Sequence, residues 1–223
     1  MPHRIYLLVL FILPSLAWPQ PPTASGEASA ALVTFTLDFP ASQPEHYSIR
    51  VFSDGLAHYQ STGRISADSD ETDSFDLDFP LSSEMRQKVF ALADKAGYFQ
   101  KDLDSHHKGQ AFTGKKTLTY RDASRTGQAT YNFSSNTAAQ ELTSLFQNLS
   151  ATLEFGHRID YDRRYQKLAL DAELKRMQEM AQTRMLVEVS AIQPILQQVV
   201  ADQSVVNVAR ARAQRLLDAE GSR

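Results

Sequence analysis

Apolar and polar residues alternate with a period of two along the first half of the chain and recur every three to four residues along the second. From Ala31 to Phe39, Leu32, Phe35, Leu37 and Phe39 stand against Thr34, Thr36 and Asp38. Tyr47 to Phe52 alternates again, Ser53-Asp54-Gly55 carries tight-turn chemistry, and Leu56 to Tyr59 returns, which predicts a β-hairpin. Residues 66–74, SADSDETDS, read as an acidic loop, and Phe75 to Phe79 as a strand with one wet face that ends at Pro80. A helix follows, with Ser82 or Ser83 as N-cap, Met85, Val89, Leu92, Ala93 and Ala96 on one face, and Gly97 at its stop. After a loop from Lys101 to Gly114, strands at Thr117–Tyr120 and Ala129–Phe133 flank a turn over Asp122–Gly127. Ser134 to Asn136 then cap a second helix carrying Leu142, Leu145, Phe146 and Leu149. Residues 46–97 and 115–151 share this strands-then-helix plan, which fits either an internal duplication or a common arrangement met twice.

From Gly156 onward no strand pattern remains. A helix is predicted over Asp160–Arg184, and another over Val187–Val200 with Pro194 as a kink or a restart. A last helix is expected with Asp202 as N-cap and Val205, Val208, Ala209, Ala213, Leu216 and Leu217 as its apolar stripe. Arg212 falls inside that stripe. It either snorkels to water or pairs with an acid on a neighbouring helix, Asp171 or Glu173. The fold class expected is α+β: a mainly antiparallel sheet with two covering helices over 32–155, followed by an all-helical C-terminal extension over 156–223.

The N-terminal segment reads as an address rather than as fold. Residues 1–17, MPHRIYLLVLFILPSLA, join Arg4 to an apolar run from Ile5 to Leu13, and Ser15-Leu16-Ala17 puts small residues where a signal peptidase inspects them. As a helix that run rises about 1.5 Å per residue, far short of a hydrocarbon core of about 30 Å. Export to the periplasm or beyond is therefore expected, with cleavage near Ala17 and no membrane span afterwards. Residues 18–31, WPQPPTASGEASAA, read as a flexible linker.

Charge and composition exclude more than they assign. The net charge of -3 leaves no basic footprint for nucleic acid. Residues 18–155 carry 11 basic and 17 acidic groups and residues 156–223 carry 11 and 9, so the extension is the more basic part and suited to docking on the rest. The chain has no cysteine, which removes disulfides, thiolate metal sites and cysteine nucleophiles, so stability rests on packing.

Each arrangement that resembles a chemical site fails on spacing. An EF-hand loop opening at Asp68 would need Gly at its sixth position and Glu at its twelfth; Asp73 and Phe79 stand there. His106 and His107, with Asp102 and Asp104, would need a third ligand such as His58 or His157, and adjacent histidines diverge on most backbones. No metal and no cofactor are expected. No G-x-S-x-G elbow occurs. GQAFTGKK, ending at Lys116, matches phosphate-loop spacing except at its last position, where the metal-binding hydroxyl is replaced by lysine, and it precedes a strand instead of a helix. Asn132-Phe133-Ser134 and Asn148-Leu149-Ser150 read as chance sequons, and a single tail without a second copy rules out a helical solenoid. No catalytic residue is singled out.

The stretch Tyr47-Ser48-Ile49-Arg50-Val51-Phe52-Ser53-Asp54-Gly55-Leu56-Ala57-His58-Tyr59, with a helix ending in Gly97-Tyr98-Phe99, resembles the domain-of-unknown-function family 6438 of exported bacterial envelope proteins, over roughly residues 33–150. The cysteine typical of that family before the first strand pair is absent. The resemblance implies a place in the cell envelope and no activity. The expected function is a non-catalytic exported protein acting in envelope binding or assembly, with a protein partner held through the C-terminal helices. A hydrolase with dispersed catalytic residues, and a secreted inhibitor or ligand carrier, are the alternatives.

Overall fold

The computed structural model describes residues 30–40, 42–64, 72–183 and 185–221. Residues 1–29, where the signal segment and most of the linker are expected, and the acidic residues Asp68, Asp70 and Glu71 lie outside the described residues. Strands β1 (Leu32–Asp38), β2 (His46–Phe52), β3 (Leu56–Arg64), β4 (Thr72–Pro80), β5 (Lys115–Arg121) and β6 (Thr126–Tyr131) form one antiparallel sheet in the order β4-β3-β2-β1-β5-β6. The class is α+β, as the alternation predicts. The hairpin turn at Asp54-Gly55 forms with Gly55 at φ 102°, a left-handed conformation that glycine adopts without a Cβ clash, and Asp54 Oδ1 accepts from the Leu56 amide at 3.0 Å.

Alternation decides which face is covered. Val33, Phe35, Ile49, Val51, Tyr59 and Leu118 point to one side and are buried, whereas Thr34, Thr36, Thr117 and Thr130 point to the other and stay partly or fully wet. Two helices cover the apolar side. In α1 (Ser83–Lys95), Ser82 Oγ accepts from the Met85 amide at 3.2 Å as N-cap, and Val89, Leu92 and Ala93 are buried. In α2 (Thr137–Tyr165), Asn136 Oδ1 accepts from the Ala139 amide at 3.0 Å. Phe146 of α2 stacks on Phe35 with ring centroids 5.2 Å apart.

Several boundaries differ from expectation. β3 continues to Arg64 and β4 starts at Thr72, so the last three residues of the expected acidic loop are strand: Thr72, Asp73 and Ser74 pair with Arg64, Gly63 and Thr62. Backbone pairing at a sheet edge does not require an apolar side chain, so alternation cannot mark it. The larger difference is α2. It runs without a break through the boundary expected after Phe155, and the helix expected over 160–184 is interrupted at 166–169 before α3 (Leu170–Gln182) begins. No Gly or Pro marks that break. There Lys167 turns its ammonium to Asp202 at 3.1 Å and to Ser204 Oγ.

Pro194 marks a restart. A 3₁₀ turn over Val189–Ile192 leads into α4 (Gln193–Ala201), with the proline in the first turn, where no amide donor is needed. Asp202 does not cap the last helix, α5 (Asn207–Gly221). It ends α4 and folds back locally, Oδ1 accepting from the Ser204 amide at 2.9 Å, and the Ser204 bonds lower its pKa to about 2. Val205, Ala209, Ala213 and Leu216 are buried as the stripe predicts, but Val208 is 47% exposed. Of the two open readings for Arg212, pairing holds, since its Nε donates to Asp171 Oδ1 at 2.7 Å.

The extension is part of the same core. Leu153 and Ile159 of α2 join Leu174, Met177, Leu196 and Val199 and the sheet residues in one hydrophobic cluster. Glu188 reaches back to the head of α1, accepting from the Ser82 amide at 2.9 Å and the Ser82 hydroxyl at 2.5 Å. At Gly156 an added Cβ would lie 2.5 Å from Ile192 Cγ2, so the glycine lets the 3₁₀ turn sit directly on α2. No helix among the described residues is long and apolar enough to cross a membrane. Gly156→Ala is expected to destabilise the protein by about 1–3 kcal/mol, because overpacking against a stiff β-branched neighbour outweighs the gain in helix propensity. Urea unfolding of wild type and variant, compared at constant m, checks this.

Candidate functional site

The motifs that stood out in the sequence are local structure. His106 Nε2 meets Asp102 Oδ2 at 2.7 Å, and its ring stays 73% exposed. Asp104 spends its carboxylate on backbone amides, Oδ1 on that of His106 at 2.6 Å and Oδ2 on that of Asn132 at 2.9 Å, and these bonds hold its pKa below the usual carboxylate range. His58 is elsewhere, on the uncovered face of the sheet between Asp76 and Asp78 at 3.6 and 2.8 Å. Among the described residues no group of three or more His, Asp or Glu side chains is placed to hold a metal ion. In GQAFTGKK the ammonium of Lys116 turns inward. It donates to Thr113 O at 3.0 Å, Thr113 Oγ1 at 2.9 Å, Gly114 O at 3.2 Å and Asn132 O at 2.9 Å, tying the loop to the end of β6. Burial lowers its pKa below that of an ordinary lysine. The Asn132 side chain is used in the same tie, accepting from the Thr113 amide at 2.8 Å and donating to Ala111 O at 2.9 Å.

A cleft of about 380 Å³ opens where α2 passes the end of the β3–β4 pair. Glu154, His157, Arg158, Tyr161 and Asp162 lie at helical spacing on one face of α2 and form one wall. Ser61 and Gly63 of β3 and Asp73 and Phe75 of β4 form the opposite wall, and Gln43-Pro44 closes one side.

Glu154 is the centre of the polar network. Its Oε1 accepts from the hydroxyls of Tyr59 and Ser61, each at 2.7 Å, and Tyr59 Oη also meets Ser150 Oγ at 2.9 Å. Burial, and next the negative charge of Glu154, push the Tyr59 phenol far above its ordinary range, so the phenol is a fixed donor at any physiological pH. His157 stacks on Phe75 with centroids 4.4 Å apart and places Nε2 3.2 Å from Asp73 Oδ2 and Nδ1 4.0 Å from Glu154 Oε2. Arg158 lies over the Phe155 ring and donates from Nε to Glu173 at 2.5 Å. Asp162 carries a raised pKa, first because it is partly buried and then because Glu173 is near.

Chemically this is a set of paired groups around an open space, with Asp162, among the described residues, the carboxylate outside the pairs. The cleft's serine gives its proton to a carboxylate instead of an imidazole, and the imidazole is turned toward Asp73. No protein-family model matches this sequence, and no curated protein matches it either.

The cleft was hidden at the residue level by the expected break after Phe155, which separates Glu154 from His157, Arg158, Tyr161 and Asp162. Read as one helix, the spacing 154, 157, 158, 161, 162 is a polar stripe interleaved with a buried one, and that signal was available. The contribution of Ser61 and Asp73 depends on strand register and had no local mark.

Replacing Glu154 by Ala removes the acceptor for two hydroxyls, Tyr59 being fully buried and Ser61 nearly so. A loss of about 1–3 kcal/mol is expected, the usual cost of stranding buried donors, whereas Glu154→Gln keeps an acceptor oxygen and should lose about 1 kcal/mol or less. Urea midpoints of the two variants, with the tyrosine absorbance of Tyr59 as local probe, check the order.

Proposed function

We propose that this chain is an exported, non-catalytic binding protein of the cell envelope, and that the cleft between α2 and the β3–β4 end receives a small ligand. One observation carries the non-catalytic part: Ser61 donates to Glu154 at 2.7 Å while His157 faces Asp73 at 3.2 Å. Nucleophilic catalysis needs a hydroxyl beside a base that can take its proton, and here the hydroxyl donates to Glu154 while the nearer partner of the imidazole is Asp73. The binding part is supported by a concave space with both aromatic and titratable walls.

Export is supported by Arg4, the apolar run Ile5–Leu13 and Ser15-Leu16-Ala17. The C-terminal helices offer less support for a protein partner than their stripes suggest, because Leu174, Met177, Leu196, Val199, Ala213 and Leu216 are buried within the chain itself. The ligand-carrier reading therefore gains over assembly through the extension. The net charge of -3 supports a reading without nucleic acid.

Two measurements test this. The secreted protein should begin near Trp18 by intact-mass analysis, and a chain retaining Met1 in the cytoplasm would refute export. A fluorophosphonate probe should leave the mature protein unlabelled; a stoichiometric adduct on Ser61 would turn the assignment to a hydrolase.

A further inference from the structure

We infer that the cleft takes an organic cation, a primary ammonium or guanidinium group borne on an apolar body. This rests on the reading of the cleft as a ligand site and adds the class of ligand. Among the described residues three carboxylates, Asp73, Glu154 and Asp162, line the space against one guanidinium, that of Arg158. Part of that guanidinium is already engaged: its Nε donates to Glu173 at 2.5 Å, and Arg176 approaches Glu173 from the other side at 3.1 Å. An incoming anion could use the remaining Nη groups of Arg158, but it would meet the three acids.

Asp162 is the unbalanced group. Among the described residues its carboxylate makes no hydrogen bond and no ion pair, although Arg163 and Arg164, next to it on α2, both turn to Asp160, at 3.0 and 2.5 Å. Partial burial and the nearby Glu173 raise its pKa, and the opposing charge of Arg158, which is paired with Glu173, does not cancel that rise. His157 faces Asp73 and Glu154 and can offset one of the acids; Asp162 is left over in either protonation state of the imidazole.

The geometry favours an organic cation over a metal ion. A calcium or zinc ion gathers its ligands within about 2.0–2.6 Å. Among the described residues no three acids or histidines converge in that way, so the negative charge is spread along the cleft wall. The rings of Phe75 and Tyr161 and the proline Pro44 line the same space. Spread carboxylates with aromatic faces suit an ammonium or guanidinium that hydrogen-bonds at one end and packs along its length, and a ring face adds cation–π attraction.

Benzylammonium and benzoate, nearly equal in size and opposite in charge, separate the possibilities on the full mature protein by amide and side-chain NMR titration. Benzylammonium is expected to shift residues of the cleft wall, and benzoate to shift none of them. Asp162→Asn, which removes a charge without stranding any partner, should weaken benzylammonium about tenfold, the scale of one charge-assisted hydrogen bond. Asp94→Asn, on the exposed side of α1, should leave the affinity unchanged. If benzoate binds the cleft and Asp162→Asn tightens it, the charge class is wrong while the ligand site stands. If neither probe shifts the cleft residues, both the inference and the ligand site fall. If benzylammonium binds equally well to wild type and Asp162→Asn, the assignment of the cation to this cleft is overturned.

Discussion

The passage of α2 across the sheet sets the rest of the structure. Its side chains meet the strands in order: Thr143 with Tyr131 of β6 at 2.6 Å, Phe146 with Phe35 of β1, Ser150 with Tyr59 of β3, and His157 with Asp73 of β4. Six strands place the outer two about 24 Å apart at the usual spacing, and residues 143 to 157 of a helix advance about 21 Å. The helix has therefore used up the sheet by His157, yet it continues to Tyr165. The part beyond has no strand beneath it, and its apolar residues need another cover. Helices α3 and α4 and the 3₁₀ turn between them provide it, with α5 packed in turn on α3 and α4, and the cleft is the gap left where one support ends and the next begins.

Ionic pairs set the register of that second support. Glu173 is nearly buried and lies between Arg158 of α2 and Arg176 of its own helix, while Arg212 of α5 reaches Asp171 of α3. Bringing such charges out of water costs about as much as their attraction returns, so their effect is less on total stability than on which arrangement of apolar helices is allowed. A stripe of Leu, Val and Ala could slide by a turn with little loss; a buried glutamate facing two fixed guanidiniums could not.

Much of this order is readable in the amino acids, and the parts that are not have definite causes. Strands β1, β2, β5 and both caps, Ser82 and Asn136, follow from alternation and hydrogen-bonding side chains within a few residues. For Arg212 the sequence offers both snorkelling and a pair with Asp171 or Glu173, and the fold decides for Asp171. The continuity of α2 was missed because its buried face rotates from the sheet to the extension, and a change of partner imitates a helix end. Lys116, with the look of a phosphate-loop lysine, shows the opposite error: spacing alone suggests chemistry that the inward turn of the side chain removes. The cleft residues come from β3, β4, α2 and the loop between β1 and β2, so no window of sequence contains them together.

The order of the strands has a consequence for when the chain can fold. The central strand β1 is the first to be made, but one of its neighbours is β5, which follows β2, β3, β4 and α1. The head of α1 is held in turn by Glu188, near the other end. Non-local pairing of this kind slows folding, because the loop must close before any contact rewards it. A ribosome-bound chain would leave one side of β1 unpaired and its core incomplete until β5, and then the segment carrying Glu188, has been made.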